Sequence, residues 1–419
     1  MKAVILAGGL GSRMGEICSD LPKPMVDLRG KPVLLRQIEC LKENGISDFI
    51  IITRYLNEKI KDYFGSGASY GVNIEYYVED TPLGTAGALF KIKPEEDFLL
   101  CSGDLLFNFS LKRMADFHRK SNALITLFTH PGTHPADSTV VLEGGDGTVK
   151  ALYLKESEKP ENYPNLCNAG IQLVSPEIFS KLNIEGAADF DRDIVLPLVQ
   201  TGRVYSYRSA EYVLDIGTPE RLAKASEDLE KGFVRKYDSE KRKAVFLDRD
   251  GTINVLRDYI RNPDEIELID GAAEAINRFH SLGYLVFVVT NQPVIARGQC
   301  SLETLSEIHN RLEMLLGKQG AYIDKIYFCP HHPKKGFEGE IPELKIECDC
   351  RKPAPGMLLR AAEEFNIDLS LSYMVGDSEK DVGAGINAGC TPVYINDKGE
   401  KSDKAVTFSS LARFSESLQ

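Results

Sequence analysis

The chain has 419 residues, 43% of them hydrophobic and 27% charged, with a formal net charge of -12. This is globular composition, and at roughly 100–200 residues per domain it predicts two or three domains. The acidic balance argues against a general nucleic-acid binder or an anionic-membrane protein, but leaves room for phosphate ligands held by a few cations and backbone N–H groups. No apolar run approaches the ~20 residues that span a bilayer. Met1 leads directly into the strand-like Lys2–Ala7 with no basic leader, so a cytosolic chain with reduced cysteines is expected.

In chain order, strands are predicted at Val4–Ala7, Phe49–Thr53, Phe98–Ser102 and Ala123–Phe128. A second series follows at Ala244–Asp248, Leu285–Thr290, Ile326–Cys329, Tyr373–Gly376 and Pro392–Ile395. Helices are predicted at Val33–Asn44, Ala223–Lys231, Ala272–Leu282, Leu302–Leu316 and Pro355–Phe365. Near-continuous apolar strands alternating with helices predict α/β architecture, with parallel sheets covered on both faces. The two series divide the chain into a domain at 1–231, a charged linker at 232–242 and a domain at 243–419.

The first strand runs into Gly8-Gly9-Leu10-Gly11-Ser12-Arg13. Glycines let backbone N–H groups approach phosphates, and Arg13 adds a fork-shaped cation. Lys23, in Pro22-Lys23-Pro24, returns a second cation a short loop later. Alone, such a loop is as readily a tight β–α turn. Further on come Pro82-Leu83-Gly84-Thr85-Ala86-Gly87, Ser102-Gly103-Asp104, Asn168-Ala169-Gly170 and Asp215-Ile216-Gly217-Thr218-Pro219. In this order the motifs resemble the sugar-1-phosphate nucleotidyltransferases over about residues 1–230. The resemblance implies that Leu6, Gly8, Gly9, Gly11, Ser12, Arg13, Lys23, Glu79, Gly84 and Thr85 bind the nucleotide. It implies that Asp104 and Asp215 hold Mg²⁺, with Asp104, Asn168 and Gly170 facing the sugar phosphate. The family's sugar-binding Glu-Lys pair corresponds to Lys155-Glu156 or Glu158-Lys159, and Lys155 is favoured. Glu79 precedes the base-binding segment, and its carboxylate suits the two adjacent donors of guanine, so GTP is the expected nucleotide.

In the second half, Asp248-Arg249-Asp250-Gly251-Thr252 ends a buried strand with two carboxylates two residues apart. Ligands of open α/β sheets bind at such strand ends. Thr290-Asn291-Gln292, Arg351-Lys352-Pro353 and Gly376-Asp377 with Asp381 follow. Together these resemble the haloacid-dehalogenase (HAD) phosphatases over about residues 243–419. The resemblance implies Asp248 as nucleophile and Asp250 as general acid and base. Thr290, Asn291, Arg351 and Lys352 would contact the phosphate. Mg²⁺ would sit on Asp248, Asp377 and the backbone carbonyl of Asp250, with Asp381 supporting that metal shell.

Cys329, His331, Cys348 and Cys350 form Cys-x-His and Cys-x-Cys pairs, a Cys₃His donor set for closed, structural Zn²⁺. His332 is expected to be a neighbour and not a ligand. Cys18, Cys40, Cys101, Cys167, Cys300 and Cys390 read as ordinary core residues. The long 332–347 loop between the metal pairs resembles the heptose-bisphosphate branch of the zinc-bearing phosphatases more than the histidinol-phosphate branch. The fold class implied overall is two Rossmann-like three-layer α/β domains, a nucleotidyltransferase fold followed by a HAD-like fold with a zinc loop. The partners implied are GTP and heptose phosphates, with neither nucleic acid nor membrane, in a chain compatible with homo-oligomers.

Overall fold

The computed structural model describes residues 1–9, 12–18, 20–132, 135–234 and 241–418; of Ser12, Arg13 and Glu16 it describes only the backbone. Most of the expected linker at 232–242 lies outside the described residues. Two compact units divide the chain. One comprises Met1–His130, Val141–Glu156 and Cys167–Ser239; the other comprises Pro131–Val140, Ser157–Leu166 and Glu240–Gln419.

The strands of the first unit are β1 (Ala3–Leu6), β2 (Asp48–Thr53), β3 (Asn73–Val78), β4 (Phe98–Ser102), β5 (Leu105–Asn108), β6 (Ile125–His130), β7 (Val140–Glu143), β8 (Val149–Tyr153), β9 (Cys167–Val174), β10 (Val204–Arg208) and β11 (Tyr212–Asp215). The main sheet runs β10-β6-β9-β4-β1-β2-β3, with β7 and β8 appended through β9. It is not wholly parallel as the sequence predicts, because β9 is antiparallel to both β4 and β6. Asn168 and Gln172 interrupt the apolar run of β9, so it lacks the continuous hydrophobicity that marks a buried parallel strand. On the helix Val33–Glu43, the residues Leu34, Leu35, Ile38 and Leu41 recur at helical spacing and are all buried in the core under the sheet. The helix predicted from Ala223 begins earlier, at Pro219, where Thr218 caps the Arg221 N–H and proline supplies a helical φ at the first turn.

Register brings the motif loops of this unit together. Leu6 of β1 is paired with Ser102 of β4, so the loops leaving both strands emerge side by side. A Cβ at Gly103 would lie 2.9 Å from the Leu6 carbonyl oxygen, so this approach needs glycine. Strand β11 pairs antiparallel with β5 and sets Asp215 opposite Leu105; the Ile216 N–H then donates to the Asp104 carbonyl at 3.0 Å.

The second unit has a six-stranded sheet, entirely parallel, of β12 (Ala244–Leu247), β13 (Leu285–Asn291), β14 (Lys325–Cys329), β15 (Tyr373–Gly376), β16 (Thr391–Ile395) and β17 (Val406–Phe408), in the order β14-β13-β12-β15-β16-β17. Helices Ala272–Ser281 and Leu302–Gly317 bury Ala272, Ala273, Ile276, Phe279, Ile308, Leu312 and Leu316 against it. Strand β12 lies between β13 and β15, so Asp248, Asn291 and Asp377 all emerge at the carboxyl edge of three adjacent strands.

Candidate active sites and metal centre

In the first unit, the Lys23 ammonium is ion-paired with Asp104 and lies 3.7 Å from Asp215. Ser102 Oγ donates to Asp104 at 2.6 Å, and Arg221 pairs with the other oxygen of Asp215 at 2.7 Å. Burial alone would raise the Asp104 carboxyl; the Lys23 ammonium and the Ser102 hydroxyl outweigh it and hold it below the usual range. Gly217 keeps this cluster open, since a Cβ there would stand 2.7 Å from an Asp215 oxygen and 3.1 Å from Lys23 Nζ. Arg221 carried no motif signal, because its role depends on the helix that begins at Pro219.

Glu79 is buried, which a solvated strand-end acid would not be. Burial pushes its carboxyl up, opposed by the Leu83 N–H and Arg54. Its Oε1 has no hydrogen-bond partner, and its Oε2 stands 3.4 Å from where a Gly8 side chain would begin. Gly84, at φ 72, packs so closely on Ala188 that a Cβ would fall 2.3 Å from the carbonyl oxygen. Thr85 bonds Asp189 at 3.0 Å and accepts from the Phe190 N–H at 2.7 Å. Asn168 donates to Asp191 at 2.9 Å and accepts from the Gly170 N–H at 3.2 Å. Lys155 is exposed, and Lys159 donates to the Ala136 carbonyl at 2.8 Å. Leu6 ends β1, with Gly8 and Gly9 beyond it. Gly11 and the Ser12 and Arg13 side chains lie outside what the structure describes.

In the second unit, Lys352 is fully buried and ion-paired with Asp248 at 2.8 Å and Asp381 at 2.5 Å. Oxygens of Asp248, Asp377 and Asp381 cluster within 4.8 Å of one another, a donor set suited to a hard cation. Burial and the Asp381 charge push the Asp248 carboxyl up against the pull of Lys352, and push Asp377 up to about 6. The Asp250 side chain stands apart from that trio. It accepts from Arg249 at 2.8 Å, Asn254 at 3.0 Å and Gln292 at 3.1 Å. Burial would raise its carboxyl, but the Arg249 charge and these bonds hold it low. Asn291 clamps the Lys352 peptide with two hydrogen bonds, at 3.0 and 3.1 Å. Thr290 is buried and accepts from Gln292 at 2.9 Å. Arg249 and Gln292 stand in the sequence motifs but were given no role there; only the fold turns them onto Asp250.

Cys329 Sγ lies 3.5 Å from Cys348 Sγ and 3.8 Å from His331 Nδ1, and Cys350 Sγ lies 3.3 Å from Cys348 Sγ and 3.4 Å from His331 Nδ1. Ligands about 2.3 Å from a tetrahedral ion are about 3.8 Å apart, so these four residues could hold one metal ion. Burial and the neighbouring thiols push Cys350 far up, which a divalent cation would reverse. His332 turns elsewhere: its Nδ1 accepts from the Lys334 N–H at 3.1 Å. Arg351, immediately after the last thiol, donates to the His331 carbonyl at 2.9 Å.

Residues 2–232 match the family described as nucleotidyl transferase, and residues 178–389 match the haloacid dehalogenase-like hydrolases. The chain belongs to both families and is an enzyme carrying a nucleotidyltransferase and a HAD phosphatase. Among similar proteins is a D-glycero-beta-D-manno-heptose-1,7-bisphosphate 7-phosphatase of Yersinia pestis, 43% identical over 145 residues, 35% of this chain and 75% of that protein. Its counterpart in Haemophilus influenzae is 44% identical over 147 residues, 35% of this chain and 77% of that protein. Among solved structures, HddC from Yersinia pseudotuberculosis complexed with GMP-PN is 27% identical over 54% of this chain and 99% of its own, with a TM-score of 0.47. D,D-heptose 1,7-bisphosphate phosphatase from B. bronchiseptica, complexed with magnesium and phosphate, is 33% identical over 42% of this chain and 96% of its own, with a TM-score of 0.37. No helix among the described residues is long and apolar enough to cross a membrane.

Proposed function

We propose that the chain catalyses two consecutive steps in making a nucleotide-activated heptose. The phosphatase unit removes the 7-phosphate of D-glycero-D-manno-heptose 1,7-bisphosphate. The transferase unit then joins the resulting 1-phosphate to the α-phosphorus of GTP, giving GDP-heptose and pyrophosphate. The observation that carries this reading is the fusion itself. A phosphatase half similar to heptose bisphosphate phosphatases shares a chain with a nucleotidyl transferase half whose motifs resemble those of enzymes that consume sugar 1-phosphates.

In the phosphatase, Asp248 attacks phosphorus and the bond to the sugar oxygen breaks; Asp250, ionised in the free enzyme, serves as general acid by passing to the departing alkoxide a proton it takes up from the substrate's phosphate monoanion. Asp250 then takes a proton from the water that cleaves the aspartyl-phosphate, releasing phosphate and restoring Asp248. Lys352 and Thr290 neutralise the phosphoryl oxygens, and Asn291 fixes Lys352 through its peptide. Asp248, Asp377 and the Asp250 carbonyl would hold Mg²⁺, with Asp381 supporting them. Cys329, His331, Cys348 and Cys350 would hold a structural zinc ion, which would pin the loop ending at Arg351 and Lys352. In the transferase, Asp104 and Asp215 would hold Mg²⁺, which would supply charge neutralisation to the phosphates when bound. Arg13 and Lys23 bind the triphosphate, while Gly8, Gly9, Gly11, Ser12, Glu79, Gly84 and Thr85 line the nucleotide and Lys155, Asn168 and Gly170 the sugar. Cysteines with no disulfide among them support a cytoplasmic setting.

The test is incubation with heptose 1,7-bisphosphate, Mg²⁺ and each nucleoside triphosphate in turn, with products identified by mass. Phosphate should appear in every tube, and pyrophosphate with GDP-heptose only where GTP is present. Failure to release phosphate from the bisphosphate, or equal transfer from UTP, would refute the assignment.

A further inference from the structure

The second unit takes in two segments, Pro131–Val140 and Ser157–Leu166, that lie within the nucleotidyl transferase match. On either side of Ser157–Leu166 stand residues assigned above to the sugar, Lys155 before it and Asn168 after it. Lys159, inside the segment, donates to the Ala136 carbonyl at 2.8 Å, so the two segments hold each other. Asn165 holds them a second time. Its side chain accepts from the Gly132 N–H at 3.0 Å and donates to the Gly132 carbonyl at 2.8 Å. His130 at the end of β6 is paired with Cys167 at the start of β9, so this exchange continues the ladder beyond its last backbone pair.

A helix of the same unit supplies the anchor. The Asn165 backbone N–H donates to Glu313 Oε2 at 2.8 Å, and both residues are buried. Glu313 sits on the helix Leu302–Gly317, whose Ile308, Leu312 and Leu316 belong to the phosphatase core, so the acceptor is as firmly placed as that core. At the end of the helix a Cβ on Gly317 would lie 3.7 Å from the Pro135 ring, an ordinary packing distance. Arg311 stands 3.8 Å from Glu161, whose side chain is 80% exposed, so that pair contributes little. Of the two polar contacts that the helix makes here, the Glu313 bond is the one buried at both ends, and its removal therefore costs the more.

We propose that Glu313, on a helix of the phosphatase, is a positioning residue for the transferase: it pins the segment that joins Lys155 to Asn168 and so sets the grip on the sugar 1-phosphate. This rests on the transferase reading above and deepens it. Glu313 touches no substrate. It acts on the entry to β9, where a backbone fixed at Asn165 leaves Asn168 little freedom to depart from its bond to Asp191. A binding residue held in place before the ligand arrives loses less freedom on binding, so loosening the segment weakens the sugar's hold without altering the reacting groups. Gly8, Glu79, Gly84 and Thr85, assigned above to the nucleotide, lie outside both segments, so GTP binding does not depend on the anchor. The phosphatase half is then part of what makes the transferase site.

The experiment uses the full chain as wild type, Glu313→Met and Glu313→Gln. It measures kcat and KM for heptose 1-phosphate and for GTP, phosphatase turnover, and backbone hydrogen exchange over residues 157–170. Glu313→Met removes the acceptor at similar volume. It should raise KM for heptose 1-phosphate about 5- to 20-fold, leave KM for GTP and phosphatase kcat/KM within about twofold, and speed exchange over residues 157–170. Glu313→Gln keeps an oxygen acceptor and should stay within about threefold of wild type. An unmoved sugar KM with the phosphatase intact, an equal rise in both transferase KM values, or a Gln variant as impaired as the Met variant overturns the proposal. Should Glu313→Met also lose phosphatase activity, Asn165→Ala decides: it breaks the two Gly132 bonds, leaves Glu313 in place, and must give the same selective rise. If wild type does not use heptose 1-phosphate, the substrate assignment falls, and exchange over residues 157–170 alone decides whether Glu313 holds the segment.

Discussion

Each unit places a buried lysine between two aspartates, and the two arrangements differ in charge. Beside Lys23 stand Asp104 and Asp215, and Arg221 covers the second carboxylate, so two cations meet two anions. Beside Lys352 stand Asp248 and Asp381, with Asp377 close by, so one cation meets three anions. The first cluster is neutral as it stands, and its Asp104 carboxyl is held low. The second keeps an excess of negative charge, visible in the upward push on Asp248 and Asp377, and a divalent cation would balance it. The difference lies in what the free protein leaves unbalanced: the phosphatase centre keeps the negative charge that a metal would neutralise, whereas Lys23 and Arg221 already neutralise the transferase carboxylates.

The largest expected effect separates the two centres altogether. Asp248→Asn should lower phosphate release by about 10⁴-fold or more and leave nucleotidyl transfer from supplied sugar 1-phosphate intact, with Asp104→Asn doing the reverse. Loss of both reactions in either folded variant would break the comparison. Next is the metal loop: Cys348→Ser should release its zinc, lower the Tm and cut phosphatase activity at least tenfold, read by metal analysis, thermal melting and turnover. Full phosphatase activity in that variant would show that Arg351 and Lys352 do not depend on the ion.

The charge count is sharpened by Mn²⁺ binding, followed by electron paramagnetic resonance without nucleotide. Asp377→Asn should remove most binding to the free enzyme. Adding Lys23→Met to Asp377→Asn should restore a site on Asp104 and Asp215, with affinity raised about tenfold over the single variant. No gain would mean that Lys23 does not exclude the ion. The smallest effect belongs to the base: Glu79→Gln should narrow the kcat/KM preference for GTP over other triphosphates by about tenfold, as expected for one buried polar contact.

The two halves were unequally legible. In the second unit the acids follow apolar strands at a sheet edge, so pattern and motif agree, and the Cys-x-His and Cys-x-Cys spacings leave few other arrangements. In the first, β9 was missed because Asn168 and Gln172 interrupt its hydrophobic run, although Asn168 signalled the motif. The parallel sheet predicted there is mixed for the same reason. Side chains that act through tertiary contact stayed hidden. Arg221 reaches Asp215 only because a helix starts at Pro219, and Gln292 meets Asp250 across 42 positions of sequence, a distance at which no periodic pattern survives.

Asp381 belongs to the scaffold as much as to the chemistry. Its Oδ2 receives the Ser378 N–H and hydroxyl at the start of the helix Glu379–Ala388, while its Oδ1 faces Lys352. A Cβ on Gly376 would lie 2.3 Å from the same carboxyl group, so the preceding strand has been shaped around it. One carboxylate therefore starts a helix and pairs with the buried Lys352. A replacement here would alter the helix start and the lysine's pairing together, and compensation would have to come from Gly376, Ser378 and Lys352 changing as a group.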